Sequence, residues 1–169
     1  MAEPRPVVSS AHLAAGASPG LSEVEYGLIL AGHAFQRWMA LCAAAAGAPA
    51  LSPVEVLILH TAHHRGRAKR RAEILLALGI EDAHIATYAI RKLEAAGLVQ
   101  TSRQGKEKLV AATAEGAALC ARYAAVRERL LAGAVRDSGP PGAALSEAAR
   151  LLRTLSGFYD QAARAAATL

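Results

Sequence analysis

The amino-acid sequence predicts a mainly α-helical chain with one small β-hairpin, two short helices ahead of that hairpin, and long helices flanking the group. Three observations predict it. Apolar residues recur at alternating steps of three and four through the long N- and C-terminal stretches, the spacing of a single helix face. Gly79 and Gly97 close two shorter periodic runs, as glycines do where a helix ends in a left-handed cap. The segments "LVQT" and "KLVAAT" flank "SRQGKE", which reads as two strands joined at a glycine turn.

Bulk properties are consistent with that class. A chain of 169 residues can bury one core or two closely packed ones. Apolar residues make up 53 % but aromatic ones only 4 %, which favours alanine-rich helices with closely spaced axes. No apolar run reaches bilayer length, and no basic region followed by an apolar stretch opens the chain. Cys42 and Cys120 sit within helix-like segments and suggest no disulfide framework. A cytoplasmic protein without a membrane partner is expected.

The elements follow in order. Residues 1–21 are rich in Ala, Pro, Ser and Gly and are expected to form a flexible arm. Residues 22–50 hold the first long helix. Ser22 and Glu25 have capping-box spacing, and Val24, Leu28, Ala31, Phe35, Trp38 and Cys42 form a seam at steps of 4, 3, 4, 3 and 4. Residues 51–113 start with a second helix, opened by Ser52, Pro53 and Glu55 and closing near His64 to Gly66. A short helix from about Lys69, a fourth helix from about Asp82 and the hairpin follow. Residues 114–169 hold two further helices. Thr113 caps the first, which is expected to run to about Val135 with Leu119, Tyr123, Val126 and Leu130 on one seam. "DSGPPG" is the break. The last helix repeats Leu145, Ala148, Leu152, Leu155, Tyr159, Ala162 and Ala166.

The net charge of +5 is unevenly placed. Between His63 and Ala112 there are ten basic and five acidic residues, so that segment carries the entire excess and the rest of the chain is neutral. Charge concentrated in this way is an electrostatic footprint for a polyanion. Two short helices about a glycine turn, followed by a basic-tipped hairpin, describe a winged helix-turn-helix. One helix suits the DNA major groove, and the hairpin can reach an adjacent groove or the backbone.

The segment "AEILLALGIEDAHIATYAIRKLEAAGLVQTSRQGKEKLVAATAEG" resembles the winged-helix domain of MarR-type bacterial transcriptional regulators. "LALGI" precedes the recognition helix, "RKLEAAGLV" leads into the first wing strand and "TAEG" opens the next helix. With the flanking helix order, the resemblance covers roughly residues 22 to 168. It implies a winged helix-turn-helix between long N- and C-terminal dimerisation helices. It also implies a homodimer on a pseudo-palindromic operator, repression, and release by a small aromatic or anionic ligand. Three departures stand out. The wing is short and lacks the family's Asp followed by paired arginines, the stretch from Ile80 to Leu93 is one residue longer than usual, and Glu81 and Asp82 stand where many relatives carry a neutral cap.

Candidate contacts follow from position. Arg65, Arg67, Lys69, Arg70 and Arg71 precede or open the helix that crosses the DNA backbone, and are assigned to phosphate. Ala86, Ala89, Ile90 and Leu93 form the inward stripe of the recognition helix. His84, Thr87, Tyr88 and Arg91 then face outward for base edges. Arg103, Lys106 and Lys108 are the wing contacts. The resemblance places a ligand pocket near His33, Arg37, Trp38 and His60.

Other chemistries find little support. His60 and His64 are four apart, but their neighbours are arginines that repel a cation, and no Cys or acid stands at ligand spacing. "HTAHH" lacks the acid of a zinc protease motif. No nucleophile–base pair, paired carboxylate motif or phosphate loop is visible, so neither an enzyme nor a cofactor is expected. The acidic start of the recognition helix and the missing wing motif leave a second class open: a protein-interaction module or antirepressor built on a winged helix.

Overall fold

The computed structural model describes residues 6–105 and 107–169. It divides into two compact units, Met1–Val126 and Arg127–Leu169.

The first unit opens with α1 (Ala11–Ala14) and α2 (Pro19–Ala45). Within the segment expected to form a flexible arm, residues 11–14 make a turn of helix, and α2 begins before Ser22. Ser22 is not a cap. It is buried, and its hydroxyl donates to the Leu13 carbonyl at 2.9 Å. Proline suits the N-terminal position because its missing N–H would have no helical acceptor there. The cap expected at the second helix does form. Ser52 accepts from the Glu55 amide, and the Ser52 amide donates to the Glu55 carboxylate at 2.7 Å, opening α3 (Pro53–His63).

A 3₁₀ turn (His64–Gly66) leads into β1 (Lys69–Arg70) and then α4 (Arg71–Leu78). The start expected for the short helix, near Lys69, is therefore a strand. Lys69 and Arg70 pair antiparallel with Val110 and Leu109. Gly79 (φ 62°) and Gly97 (φ 70°) close α4 and α5 (Ala83–Ala95). The amide just after each glycine returns to an orphan carbonyl: Ile80 to Leu75 at 3.0 Å and Leu98 to Leu93 at 2.9 Å. A left-handed residue makes that geometry possible, and glycine adopts it without a Cβ penalty.

Strands β2 (Val99–Gln104) and β3 (Glu107–Ala112) form the hairpin, and the sheet order is β1–β3–β2. Thr113 caps α6 (Ala114–Arg127) by accepting from the Gly116 amide at 3.0 Å. Gly116 is buried against the Leu98 backbone, just ahead of β2, and against Leu59 of α3. A Cβ built there would lie 2.0 Å from the Leu98 carbonyl oxygen and 3.2 Å from Leu59 Cδ1. The core gathers Met39, Ile58, Ile74, Leu93, Val110 and Leu119 from α2 through α6.

The second unit begins with a π-helical segment, Glu128–Ala132, followed by α7 (Gly133–Ser138) and α8 (Gly142–Ala166). The single helix expected to run to about Val135 therefore changes its winding at residue 128. Leu119 and Val126 are buried, whereas Leu130 is 53 % exposed. Within this chain α8 has no buried residue, and Leu145, Leu151, Leu152 and Phe158 are exposed. In α2, Val24, Ile29, Leu30, Phe35 and Leu41 are likewise exposed. Of the seam expected along α2, Cys42 is buried and Trp38 packs against the core.

Candidate nucleic-acid interface

Helix α5 rests on a stripe set by sequence. Ala86, Ala89, Ile90 and Leu93 are all buried, at the 3.6-residue spacing of one helix face. The other side of the helix is thereby turned out. His84, Tyr88 and Arg91 are exposed, Tyr88 at 70 %, and Thr87 is half-buried. Ile85 joins them at 50 % exposure. An exposed isoleucine beside two base-reading candidates gave no signal in the periodicity, because it lies next to the buried stripe rather than on it. Asp82 accepts from the His84 amide at 2.7 Å, so this acid serves as the helix cap and complements the positive end of the helix dipole.

An ion pair with a buried acid and a partly exposed lysine ties α5 to the start of α3. Glu55 is 3 % exposed and receives Lys92 Nζ at 2.9 Å as well as the Ser52 amide. Glu55 therefore closes the α3 cap and ties down α5 with one carboxylate. Between the start of α3 and the outer side of α5 lies a cleft of about 570 Å³, walled by Val54, His84, Ile85, Tyr88 and Lys92.

The basic residues ahead of α4 have different surroundings from one another. Arg65 is exposed and holds φ at 62°, a left-handed conformation that costs a residue with a Cβ about 1–2 kcal/mol. Arg67 pairs with Glu73 at 2.9 Å and Arg70 with Glu107 at 2.6 Å. Arg71 donates to the Thr87 hydroxyl at 3.0 Å, and that hydroxyl donates to the Ala83 carbonyl at 2.7 Å.

Lys69 departs from the expectation of a phosphate contact. It is 6 % exposed, and its ammonium donates to the His64 and Arg67 carbonyls. Strand pairing explains the inward turn: Lys69 lies opposite Val110, which is fully buried. Burial lowers the Lys69 pKa, and the charges of Arg67 and Arg65 add to this against an opposing effect of Glu73. Its amine shapes the loop that presents Arg65 and Arg67.

The wing brings Arg103 directly opposite Lys108, and both are exposed. Like charges facing across an antiparallel pair repel, and an anion between them relieves that repulsion. Lys106, the third expected wing contact, lies outside the described residues. Arg70, Arg71, Glu107 and Lys108 line a cleft of about 300 Å³ between α4 and the wing.

The residues expected around a ligand pocket fare unevenly. His33 and Arg37 are exposed on α2, while Trp38 packs on the core. His60 stacks edge-on against Tyr123, with ring centroids 4.6 Å apart. Burial lowers the His60 pKa, and the neighbouring charge of His63 lowers it further. Both thiols are buried; burial raises Cys120 to about 11, which leaves it inert as a nucleophile. Among the described residues no three metal-binding side chains cluster, and no helix is long and apolar enough to cross a membrane.

Comparison with known proteins agrees with this geometry. Residues 51–116 match the winged helix DNA-binding domain family. A transcriptional regulator of the MarR family from Rhodococcus sp. RHA1 superposes with a TM-score of 0.63 at 20 % identity, covering 83 % of this chain and 95 % of that one. This chain has the MarR-type winged-helix fold. CouR from Rhodococcus jostii RHA1, solved bound to p-coumaroyl-CoA, superposes at a TM-score of 0.62 and 20 % identity, covering 78 % and 90 % of the two chains. BpsR of Bordetella bronchiseptica, described with regulation of its DNA binding by 6-hydroxynicotinic acid, gives a TM-score of 0.56 at 23 % identity, covering 76 % and 91 %. No curated protein matches the chain by sequence. The MarR-type fold makes α4 and α5 the helix-turn-helix and the β2–β3 hairpin the wing.

Proposed function

We propose that the chain is a sequence-specific DNA-binding transcription regulator of the cytoplasm, acting as a homodimeric repressor on a pseudo-palindromic operator. The observation that carries this reading is the outward face of α5, with His84, Tyr88 and Arg91 standing off a fully buried stripe beside a basic wing. In this reading α5 enters the major groove and Arg91 reads a guanine edge. Arg65, Arg67, Arg70 and Arg71 hold phosphate, as do Arg103, Lys106 and Lys108 of the wing. The exposed leucines of α8 and apolar residues of α2 supply the self-association surface. A small aromatic or anionic ligand loosens the complex, in keeping with the ligands named for CouR and BpsR. Selecting bound sequences from a random DNA pool tests the proposal. A symmetric enriched site is expected, and enrichment of none would overturn it.

A second reading, a winged-helix interaction module or antirepressor, is favoured by one set of contacts. Arg67 and Arg70 are paired with acids and Lys69 is buried, while Ile85 and Tyr88 give α5 an apolar exposed side. A stable complex with another regulator, together with no DNA affinity of the chain alone, would select it.

A further inference from the structure

We infer that Glu107, at the start of the second wing strand, stands in for a phosphate group and competes with DNA for Arg70. This rests on the DNA-binding reading and adds to it a residue that limits affinity. Arg70 lies opposite Leu109 in the β1–β3 pairing, and Glu107 is two residues from Leu109 on the same side of the strand. The Arg70 Nε–Glu107 Oε2 contact is 2.6 Å, and the two side chains remain 58 % and 47 % exposed. This is an ion pair that solvent and other anions can reach, not a buried structural one.

The cleft beside it tells what those anions are. Arg70, Arg71 and Lys108 contribute three cations to its lining, and Glu107 is the acid among them. A guanidinium binds carboxylate and phosphate oxygens with the same donor fork. A phosphodiester seated in this cleft therefore meets an Arg70 whose charge is already shared with Glu107, and meets the Glu107 charge as a repulsion. With Glu107 in place, Arg70 offers the backbone a weaker grip than it would alone. Arg71, which donates to the neutral Thr87 hydroxyl, has no acid as its partner among the described residues.

The experiment compares the wild-type chain with Glu107→Gln, Arg70→Ala and the double variant on a random-sequence DNA duplex, across a salt series. Thermal unfolding followed by circular dichroism confirms that each is folded. Glu107→Gln is expected to bind about three- to tenfold more tightly than wild type, and its log–log salt slope to steepen by about 0.9 as one more phosphate is neutralised. In the Arg70→Ala background the same change should bring less than half of that logarithmic gain, because the guanidinium that it frees is gone. Wild-type binding with an unchanged Glu107→Gln affinity would overturn this inference alone. So would a gain that persists in full without Arg70, since that describes general charge repulsion. No duplex binding by any of the four proteins would remove the DNA-binding reading and this inference with it.

Discussion

Lys92, on the exposed flank of α5, donates to the Glu55 carboxylate at 2.9 Å, and Glu55 is nearly inaccessible to solvent. One acid therefore sets both where α3 begins and how α5 lies. Truncating either side should be costly, for different reasons. Glu55→Ala removes a cap acceptor and is expected to lower stability by about 2–3 kcal/mol. Lys92→Met leaves the carboxylate buried with fewer donors, and about 1–2 kcal/mol is expected, because Lys92 itself stays partly solvated. Urea denaturation of both singles and the double measures this, and a coupling near zero would mean that the pair does not fasten the helix.

Gly116 is where α6 touches the backbone of residue 98. With a Cβ only 2.0 Å from the Leu98 carbonyl oxygen, Gly116→Ala forces α6 and the Leu98 backbone apart. A loss of about 2–3 kcal/mol is expected, read as a lowered Tm with retained helix content. A Tm equal to wild type would show that the helix shifts without penalty.

The pH dependence of stability should contain a contribution from His60. Its folded pKa is lowered by burial and by His63, so the unfolded chain binds the proton more readily. Stability from this group is thus fully present above about pH 6.5 and is lost as pH falls from there through the lowered folded value. Replacing His60 by Phe keeps the edge contact with Tyr123 possible and removes the proton. The stability of that variant should fall less than wild type between neutral and mildly acidic pH; an identical decline would assign it to other groups.

Arg65 holds φ at 62° without being glycine. Arg65→Gly should relieve that strain and raise stability by about 0.5–1 kcal/mol, while weakening binding to every DNA sequence by a similar factor. Chemical denaturation and a salt titration separate the two effects. A destabilised variant would show that the arginine side chain itself holds the loop.

Base reading and backbone gripping should respond differently to substitution. Arg91→Ala is expected to relax preference at one base pair, worth about 1–3 kcal/mol of discrimination. Lys108→Ala should weaken all sequences alike and flatten the salt slope by about 0.9. Equal profiles for the two would contradict the division of roles.

Much of the fold was legible because it is written in local signals. The inward stripe of α5 follows from a 3.6-residue period, the Ser52–Glu55 cap from spacing, and the helix stops from Gly79 and Gly97. Ser22 misled because capping-box spacing also occurs inside a helix. What decided the matter was a tertiary partner, the Leu13 carbonyl, that no local pattern announces. The basic run was visible as composition, but its division was not. Lys69 turns inward because of strand pairing with Val110, forty-one residues on, and Arg70 meets Glu107 through the same strand pairing. Lys92 gave no sign of its role, since a lysine on an outer helix face pairs with a distant buried acid only once the helices are packed.

The π-helical segment at Glu128–Ala132 has a consequence for reading side-chain faces. A wider turn holds more residues than an α-turn, so each residue beyond it points in a direction rotated from the one that counting along the α-helix would give. Leu119, Val126 and Leu130 keep heptad time in the sequence, yet the first two are enclosed and the last is open to solvent. The backbone loses phase there while the letters do not. Leu130 falls within that wider turn, so counting in steps of 3.6 from Val126 does not give the face it occupies.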